Sequence, residues 1–279
     1  MNYQLISPRP LSTALGAQIA DVDLSQPLTG QLVAEINQAF LQYQVVFFPA
    51  QKMDPQSLVV FAKQFGELAR YPFVAGMPEH PDVVEVIKKP EETINFGGLW
   101  HTDTSYLQHP PKASIVYARV LPPIGGDTLF ANMYQAWDAL SDGMQLLLSD
   151  LSANNSAERA SAAVTRVHRK ADRPGAEDEA IMQAEHPVVR THPETGRKTL
   201  YCSDAHTISF SGWSEQESRP LLQYLYSIQQ AEEFCFRYSW RPGDLAMWDN
   251  RCVQHNALND YQGYRRELLR VTLEGERPS

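Results

Sequence analysis

Cysteine is scarce in this chain. Cys202, Cys235 and Cys252 are odd in number and lack any CxxC spacing, which excludes a disulfide framework and a thiolate zinc centre. They read as ordinary reduced thiols. Long apolar runs are missing as well: nothing approaches 18 consecutive apolar residues, and Met1–Pro10 has no basic segment leading into an apolar one. A cytoplasmic protein with no membrane partner is the expectation. Positive charge is outnumbered, with 24 Lys and Arg against 33 Asp and Glu, and the basic residues are scattered. A phosphate backbone needs a concentrated basic surface, so nucleic acid is excluded as a partner. Repeats, low-complexity tracts and Gly/Ser linkers are absent, and residues 1–279 are read as a single domain.

What is present is enough apolar sequence, 43% of residues, to bury a full core. Short β-type runs bounded by turn residues recur at Gln44–Phe48, Val83–Ile87, Ser114–Val120, Lys198–Cys202, Leu245–Trp248 and Glu267–Leu273. Four stretches carry helical signals instead. Thr29–Tyr43 puts Leu32, Ile36, Phe40 and Leu41 on one face; Asp54 is an N-cap for a helix running through Leu58, Val59, Ala62 and Phe65; Tyr134–Leu151 forms a third. Ser214 and Glu217 make a capping box that opens a fourth, although Pro220 inside it implies a kink or a later start. Several short strands with Pro and Gly punctuation favour a mainly β fold with flanking α, built on a jelly roll (double-stranded β-helix) core, over a parallel sheet.

The stretch 158–185 differs from its surroundings, being rich in Arg, Glu, Asp and Ala with Pro174-Gly175 near its middle. Composition alone fits a solvated helix pair or a disordered insertion. Long polar insertions in compact domains are also often lids, and a mobile lid over 158–185 is the functional expectation.

The chemistry-bearing residues are few. His101-Thr102-Asp103 is followed 152 residues after Asp103 by His255, and then by Arg266 and Arg270. Side chains at i and i+2 of an extended segment share a face, so His101 and Asp103 can reach one ion. Two imidazoles and one carboxylate hold one face of a divalent iron and leave the other open, although they also form catalytic zinc sites. Arg266 and Arg270 are four apart in a β-type run, on one face and about 13 Å apart. Inward-facing arginines near a metal need anionic partners, and a carboxylate held bidentately is the natural one. Arg266, helped by Thr128 from the turn Gly125-Gly126-Asp127-Thr128, is therefore assigned to the far carboxylate of a dicarboxylic co-substrate. The turn alone could equally be a plain β-turn in which the glycines supply positive φ.

Taken together, Phe65-Gly66-Glu67-Leu68, Trp100-His101-Thr102-Asp103, Gly125-Gly126-Asp127-Thr128, the run His186–Pro193, Trp248-Asp249-Asn250-Arg251 with His255, and Arg265-Arg266 with Arg270 resemble the TauD/TfdA family of iron(II)- and 2-oxoglutarate-dependent dioxygenases over nearly the whole chain. The resemblance implies Fe(II) held by His101, Asp103 and His255, with 2-oxoglutarate contacted by Thr128 and Arg266 and O2 as second co-substrate. It implies hydroxylation of a C–H bond in a small anionic organic substrate, with 2-oxoglutarate converted to succinate and CO2. Substrate contacts fall on Tyr71, Asn95, His206 and Arg270, the last meeting the anionic group. Two departures bear on specificity: Tyr71 stands where the taurine enzyme keeps a histidine, and His206 where it has an aromatic ring. A different acid from taurine is expected: a sulfonate, sulfate ester, aryloxyalkanoate or other carboxylate. Family members commonly form dimers or tetramers, so a homo-oligomer is expected.

The remaining histidines are read more plainly. His80, His109, His186 and His192 precede proline and are expected in turns, and His168 lies in the charged stretch. Trp100 and Trp248, flanking ligands, are read as core or wall residues that keep the site dry. A second class of function stays open, a non-redox metal-binding jelly roll acting as a zinc-type hydrolase or sensor; Thr128 and Arg266 argue against it, since a hydrolase has no need of them.

Overall fold

The computed structural model describes residues 3–159 and 182–279. Most of the stretch expected to form a lid, residues 160–181, lies outside them, as does His168.

Two β-sheets facing each other enclose the site. The larger runs in the order Arg9–Pro10, Ala17–Gln18, Val45–Phe48, Leu245–Asp249, Ala113–Val120, Arg266–Leu273, Leu68–Ala69, with Val84–Lys88 also pairing to Arg266–Leu273. All its pairings are antiparallel except Ala17–Gln18 against Val45–Phe48. The smaller has Thr128–Asn132 between Cys235–Tyr238 and Val253–Ala257, again antiparallel. This is the jelly-roll arrangement expected of the sequence, mainly β with helices outside.

The period-two alternation of strands explains how the large sheet is buried on both faces. Val46, Phe48, Ile115, Tyr117, Leu245, Met247, Leu269, Val271 and Leu273 pack with Ile36, Ala39, Phe40, Leu58, Phe61 and Ala62 of two covering helices. The alternate residues, Val45, Phe47, Val116, Ala118, Ala246, Trp248 and Leu268, meet Phe130 and Val253 of the small sheet. Arg266 and Arg270 lie in phase with Leu268, so the same alternation aims both guanidinium groups into the space between the sheets.

The covering helices begin where capping chemistry says they should. Thr29 accepts from Leu32 N to open Gly30–Tyr43, and Asp54 forms a capping box with Ser57 to open Pro55–Ala62, which ends three residues short of Phe65. Ser214 and Glu217 open Glu215–Gln229, which starts there and not later and continues through Pro220. The expected helix Tyr134–Leu151 divides in two, Met133–Asp138 and Asp142–Ser149. Asn132 caps the first, accepting from Tyr134 N and Gln135 N, and Ser141 caps the second. A serine that can cap competes with helix continuation, and this one wins.

A third layer has Ser152–Ser156 between Thr207–Phe210 and Gln183–Pro187, beside a hairpin of Val189–Thr191 with Lys198–Leu200. His186 therefore sits in a strand and not in the turn expected of a residue before proline. All three cysteines are free. Among the described residues no helix is long and apolar enough to cross a membrane.

Candidate active site

His101, Asp103 and His255 converge at one end of the space between the sheets. Their ligand atoms all lie within 4.8 Å of one another, and all three residues are buried. His101 Nε2 is 3.6 Å and His255 Nε2 3.9 Å from Asp103 Oδ1, a separation that a metal with bonds of about 2.1 Å can bridge. The supporting backbone differs from the single extended segment expected for His101 and Asp103. His255 lies mid-strand in Val253–Ala257, His101 meets it through an isolated antiparallel bridge, and Asp103 lies in the turn that follows. Thr104 is left-handed at φ 43°, bending the chain away just after the carboxylate. Gly97, at φ 78°, is required for the same reason and one more: a Cβ there would stand 3.3 Å from His101 Cε1.

Neighbouring groups set the protonation of each ligand. His101 Nδ1 donates to Leu99 O at 2.6 Å, since a carbonyl can only accept, which leaves the Nε2 lone pair facing the cluster. Burial, reinforced by His101 and Arg270, holds the His255 imidazole well below its usual range despite Asp103, so it is neutral and can ligate. Burial would raise the Asp103 carboxyl, but the Arg270 guanidinium beside it outweighs that and keeps it well below the usual carboxylate range. Asp103 Oδ2 is held separately, accepting from Ser114 Oγ at 2.5 Å with Arg270 Nη2 at 3.1 Å.

Two cavities adjoin this cluster and share Phe96, Gly97, His101 and Arg270. One, of about 470 Å³, runs between the sheets past Thr128, Trp240, Trp248 and His255 to Arg266. Arg266 is 4% exposed; its Nε donates to Gly126 O at 3.1 Å while Nη2 is buried with no hydrogen-bond partner. The Gly125-Gly126 turn is more than a plain turn. Both glycines have positive φ, and a Cβ on Gly126 would stand 3.2 Å from Arg266 Cδ and Nε, so glycine lets the turn's carbonyl reach the guanidinium. Thr128 Oγ1 accepts from Trp240 Nε1 at 2.9 Å, leaving its own O–H free to donate.

The other cavity, of about 420 Å³, is walled by Tyr71, Phe96, Tyr106 and His206 around Arg270. Arg270 is 6% exposed and lies 5.4 Å from the Tyr71 ring; its Nη2 is ion-paired with Asp103 and its Nε has no hydrogen-bond partner. His206 Nδ1 lies 3.2 Å from Ser105 Oγ, and its ring meets that of Tyr106 edge-on at 4.9 Å. Of the four residues expected at this end, Tyr71, His206 and Arg270 line the cavity. Asn95 does not: its amide donates to Ala257 O at 2.7 Å, tying the loop before His101 to the strand of His255.

Sequence reasoning missed several residues that hold the site in place. Trp248 Nε1 donates to Asn250 Oδ1 (3.0 Å), Asn250 Nδ2 to Ser114 Oγ (3.1 Å), and Ser114 Oγ to Asp103, while the Trp248 ring packs 4.7 Å from that of His255. Asp249 points the other way, accepting from His192 Nε2 at 3.0 Å and from Arg251 through both oxygens. His192 and Asp249, with Cys252, also meet the distance requirement for a metal group. The Arg251 pairing occupies the carboxylate, and burial first, then Asp249, raises the Cys252 thiol well above its usual range, so the group is structural. His186 is likewise buried, its Nε2 2.9 Å from Leu107 O.

A jelly roll carrying two histidines and one carboxylate, with a buried cationic pocket beside them, defines a non-haem iron oxygenase with an acidic co-substrate. The sequence pattern of the family described as taurine catabolism dioxygenase TauD, TfdA family matches residues 7–272, and the chain belongs to that family. It is 34% identical to the alpha-ketoglutarate-dependent sulfate ester dioxygenase of Pseudomonas putida, covering 96% of this chain and 89% of that one. It is 33% identical to the alpha-ketoglutarate-dependent 2,4-dichlorophenoxyacetate dioxygenase of Cupriavidus pinatubonensis, covering 94% and 96%. The crystal structure of a taurine dioxygenase from Burkholderia xenovorans superposes with a TM-score of 0.84 at 32% identity, covering 99% and 91%. The protein is accordingly a 2-oxoglutarate-dependent dioxygenase using Fe(II), 2-oxoglutarate and O2. That decides between the two metal chemistries left open by the sequence, against the hydrolase or sensor.

Proposed function

We propose that the enzyme hydroxylates a C–H bond of a small organic anion seated in the cavity of Tyr71, Tyr106 and His206, with Arg270 as the anion's partner. The observation that carries this reading is Arg270 itself: a buried guanidinium at the junction of both cavities, whose Nη2 pairs with Asp103 Oδ2 at 3.1 Å while Nε has no hydrogen-bond partner. A buried guanidinium with a donor to spare, facing a cavity, favours a further anionic acceptor. The aromatic walls suit an apolar body behind the charge. Sulfonates, sulfate esters, aryloxyalkanoates and other small carboxylates meet that description, and the substrates named for the two curated relatives fall within it.

His101, Asp103 and His255 would hold the iron, and the fit rests on donor chemistry: two imidazole nitrogens, that of His255 held neutral by burial, and one ionised carboxylate oxygen within reach of a common point. With iron bound, O2 would supply the oxidising equivalents, two electrons coming from 2-oxoglutarate as it is converted to succinate and CO2 and two from the substrate C–H bond. Arg266 and the Thr128 hydroxyl grip its far carboxylate, each having a donor to spare. Phe96 keeps water from the shared wall of the cavities, and Trp248 from the 2-oxoglutarate side. Asn95 serves the substrate cavity by fixing the loop from Phe96 to Gly98. The same reading takes the protein as one domain, cytoplasmic, a homo-oligomer, and without nucleic-acid or membrane partners.

The test is a screen of small organic acids for substrate-dependent succinate release with iron, ascorbate and 2-oxoglutarate. One class of anion should couple turnover to 2-oxoglutarate consumption. A neutral amide turned over as well as its parent acid would refute the assignment of Arg270.

A further inference from the structure

We propose that Lys88 is a second cation acting on the 2-oxoglutarate pocket from behind its wall, its ammonium lying against Tyr261, the ring that Arg266 also approaches, and strengthening the hold on the far carboxylate. The inference rests on the assignment of the 470 Å³ cavity to 2-oxoglutarate. Lys88 closes the strand Val84–Lys88 directly across from Arg266, so the two side chains leave their strands on one face. Val86, two residues earlier and on that face, lines the cavity.

Lys88 is 2% exposed, and lysine is rarely so buried unless its charge is answered. Among the described residues no carboxylate lies within ion-pair reach of it. Its Nζ has only Gln262 Oε1 at 3.4 Å and the face of Tyr261 at 4.5 Å from the ring centroid. Arg266 Cζ lies 6.0 Å from the same centroid. The acids that act on Arg266 besides Tyr261 are Asp127 and Asp260, and both are engaged by Arg237, through Nε at 2.6 Å and Nη2 at 3.2 Å. Two buried cations thus share one aromatic ring, and the ring quadrupole offsets only part of their charge. The far carboxylate of the co-substrate, drawn to Arg266 Nη2, supplies the negative charge the pair lacks.

Lys88 does not line the cavity, so it acts through space and by fixing Tyr261. Binding is measured by calorimetry with Mn(II) in place of iron, for 2-oxoglutarate and for 2-oxobutyrate, which keeps the keto-acid head and lacks the second carboxylate. Lys88→Met should weaken 2-oxoglutarate about tenfold, the size expected of one screened charge at this range. It should leave 2-oxobutyrate unchanged, and Lys88→Arg should restore 2-oxoglutarate binding. Lys88→Gln gives the same readout if the methionine variant does not fold. Unchanged affinity in the Lys88 variants, alongside a large loss in Arg266→Met, would overturn the inference and leave the cavity assignment standing. Equal losses for both ligands would overturn it too. No loss in either the Lys88 or the Arg266 variants would remove the cavity assignment as well.

Discussion

Ser114 donates its hydroxyl hydrogen to Asp103 Oδ2 across 2.5 Å, holding the carboxylate by the oxygen other than the one that faces the two imidazoles. The hydroxyl is itself fixed, because Asn250 Nδ2 donates to it and Trp248 donates to Asn250. Asp103 is therefore aimed from the large sheet, although it lies on a turn.

Ser114→Ala removes that hold together with the acceptor of Asn250 Nδ2, and alanine fits the fully buried space. Asp103 keeps Arg270 but loses this hydroxyl donor. Outer-sphere partners of this kind contribute about 10- to 100-fold in metal affinity. Iron or Mn(II) affinity, read by calorimetric titration, should fall by about tenfold in Ser114→Ala, with a smaller fall in Asn250→Ala. An unchanged affinity would show that the turn alone positions Asp103.

Trp240 sets the Thr128 hydroxyl by donating to its oxygen, which leaves the hydroxyl hydrogen to reach a carboxylate. Trp240→Phe keeps a ring in the wall and removes one donor, after which Thr128 can rotate. One such hydrogen bond is worth about 1 kcal/mol, or about fivefold in binding. KM and Kd for 2-oxoglutarate should rise by about that factor, while the KM for the organic anion stays the same. A change in the second KM instead would place Trp240 in the wrong cavity.

Much of this site was legible in the sequence because its parts are local patterns. His-x-Asp, the double glycine turn and two arginines four apart each carry their geometry in their spacing, and alternation along Arg266–Leu273 aims both guanidinium groups the same way. The capping residues Asp54 and Ser214 announced two helices for the same reason, and an apolar stripe announced the one over Gly30–Tyr43. What stayed hidden depends on contacts between distant segments. Ser114, Trp240 and Lys88 reach their partners across 11, 112 and 174 residues, and nothing near them in sequence marks a buried partner. Asn95 was expected at the substrate; the bond its amide makes to the carbonyl of Ala257, 162 residues away, stitches backbone and left no mark in the sequence. The break at Ser141 was missed because apolar periodicity continues across it.

Asp249 predicts how the fold responds to acid. It is 1% exposed and holds His192 and Arg251, and Arg251 in turn reaches Glu194 at 2.7 Å. Burial would raise its carboxyl, but Arg251 and then His192 bring it well below the ordinary carboxylate range. Glu194 is also lowered, with Arg251 and Lys112 outweighing burial. A carboxyl depressed in the folded state stabilises at pH values above its unfolded pKa, near 4, and that stability drains away as pH falls further. The thermal midpoint should therefore drop steeply below about pH 4. Asp249→Asn strands Arg251 and should cost about 3 kcal/mol at neutral pH, a fall of about 6 to 12 °C, with a shallower acid limb. Equal acid limbs in the two proteins would assign the acid response elsewhere.

Arg270 faces two demands at once, since it lies 3.1 Å from Asp103 Oδ2 and lines both cavities. Arg270→Met removes the cation but keeps an unbranched side chain of similar reach against Tyr71. Truncating one partner of a buried charge pair costs about 2 to 5 kcal/mol, so kcat/KM for the organic anion should fall by about 30-fold to several thousand-fold. An uncharged analogue of the same substrate should lose far less, because it never engaged the guanidinium. Metal affinity separates the two duties. If it falls as much as the affinity for the anion, Arg270 acts chiefly as the counter-ion of Asp103; if it holds while discrimination between charged and uncharged substrates disappears, the guanidinium reads the substrate. The unpartnered Nε favours the second outcome, since Asp103 already has Ser114 while that nitrogen has no hydrogen-bond partner and is left for a substrate.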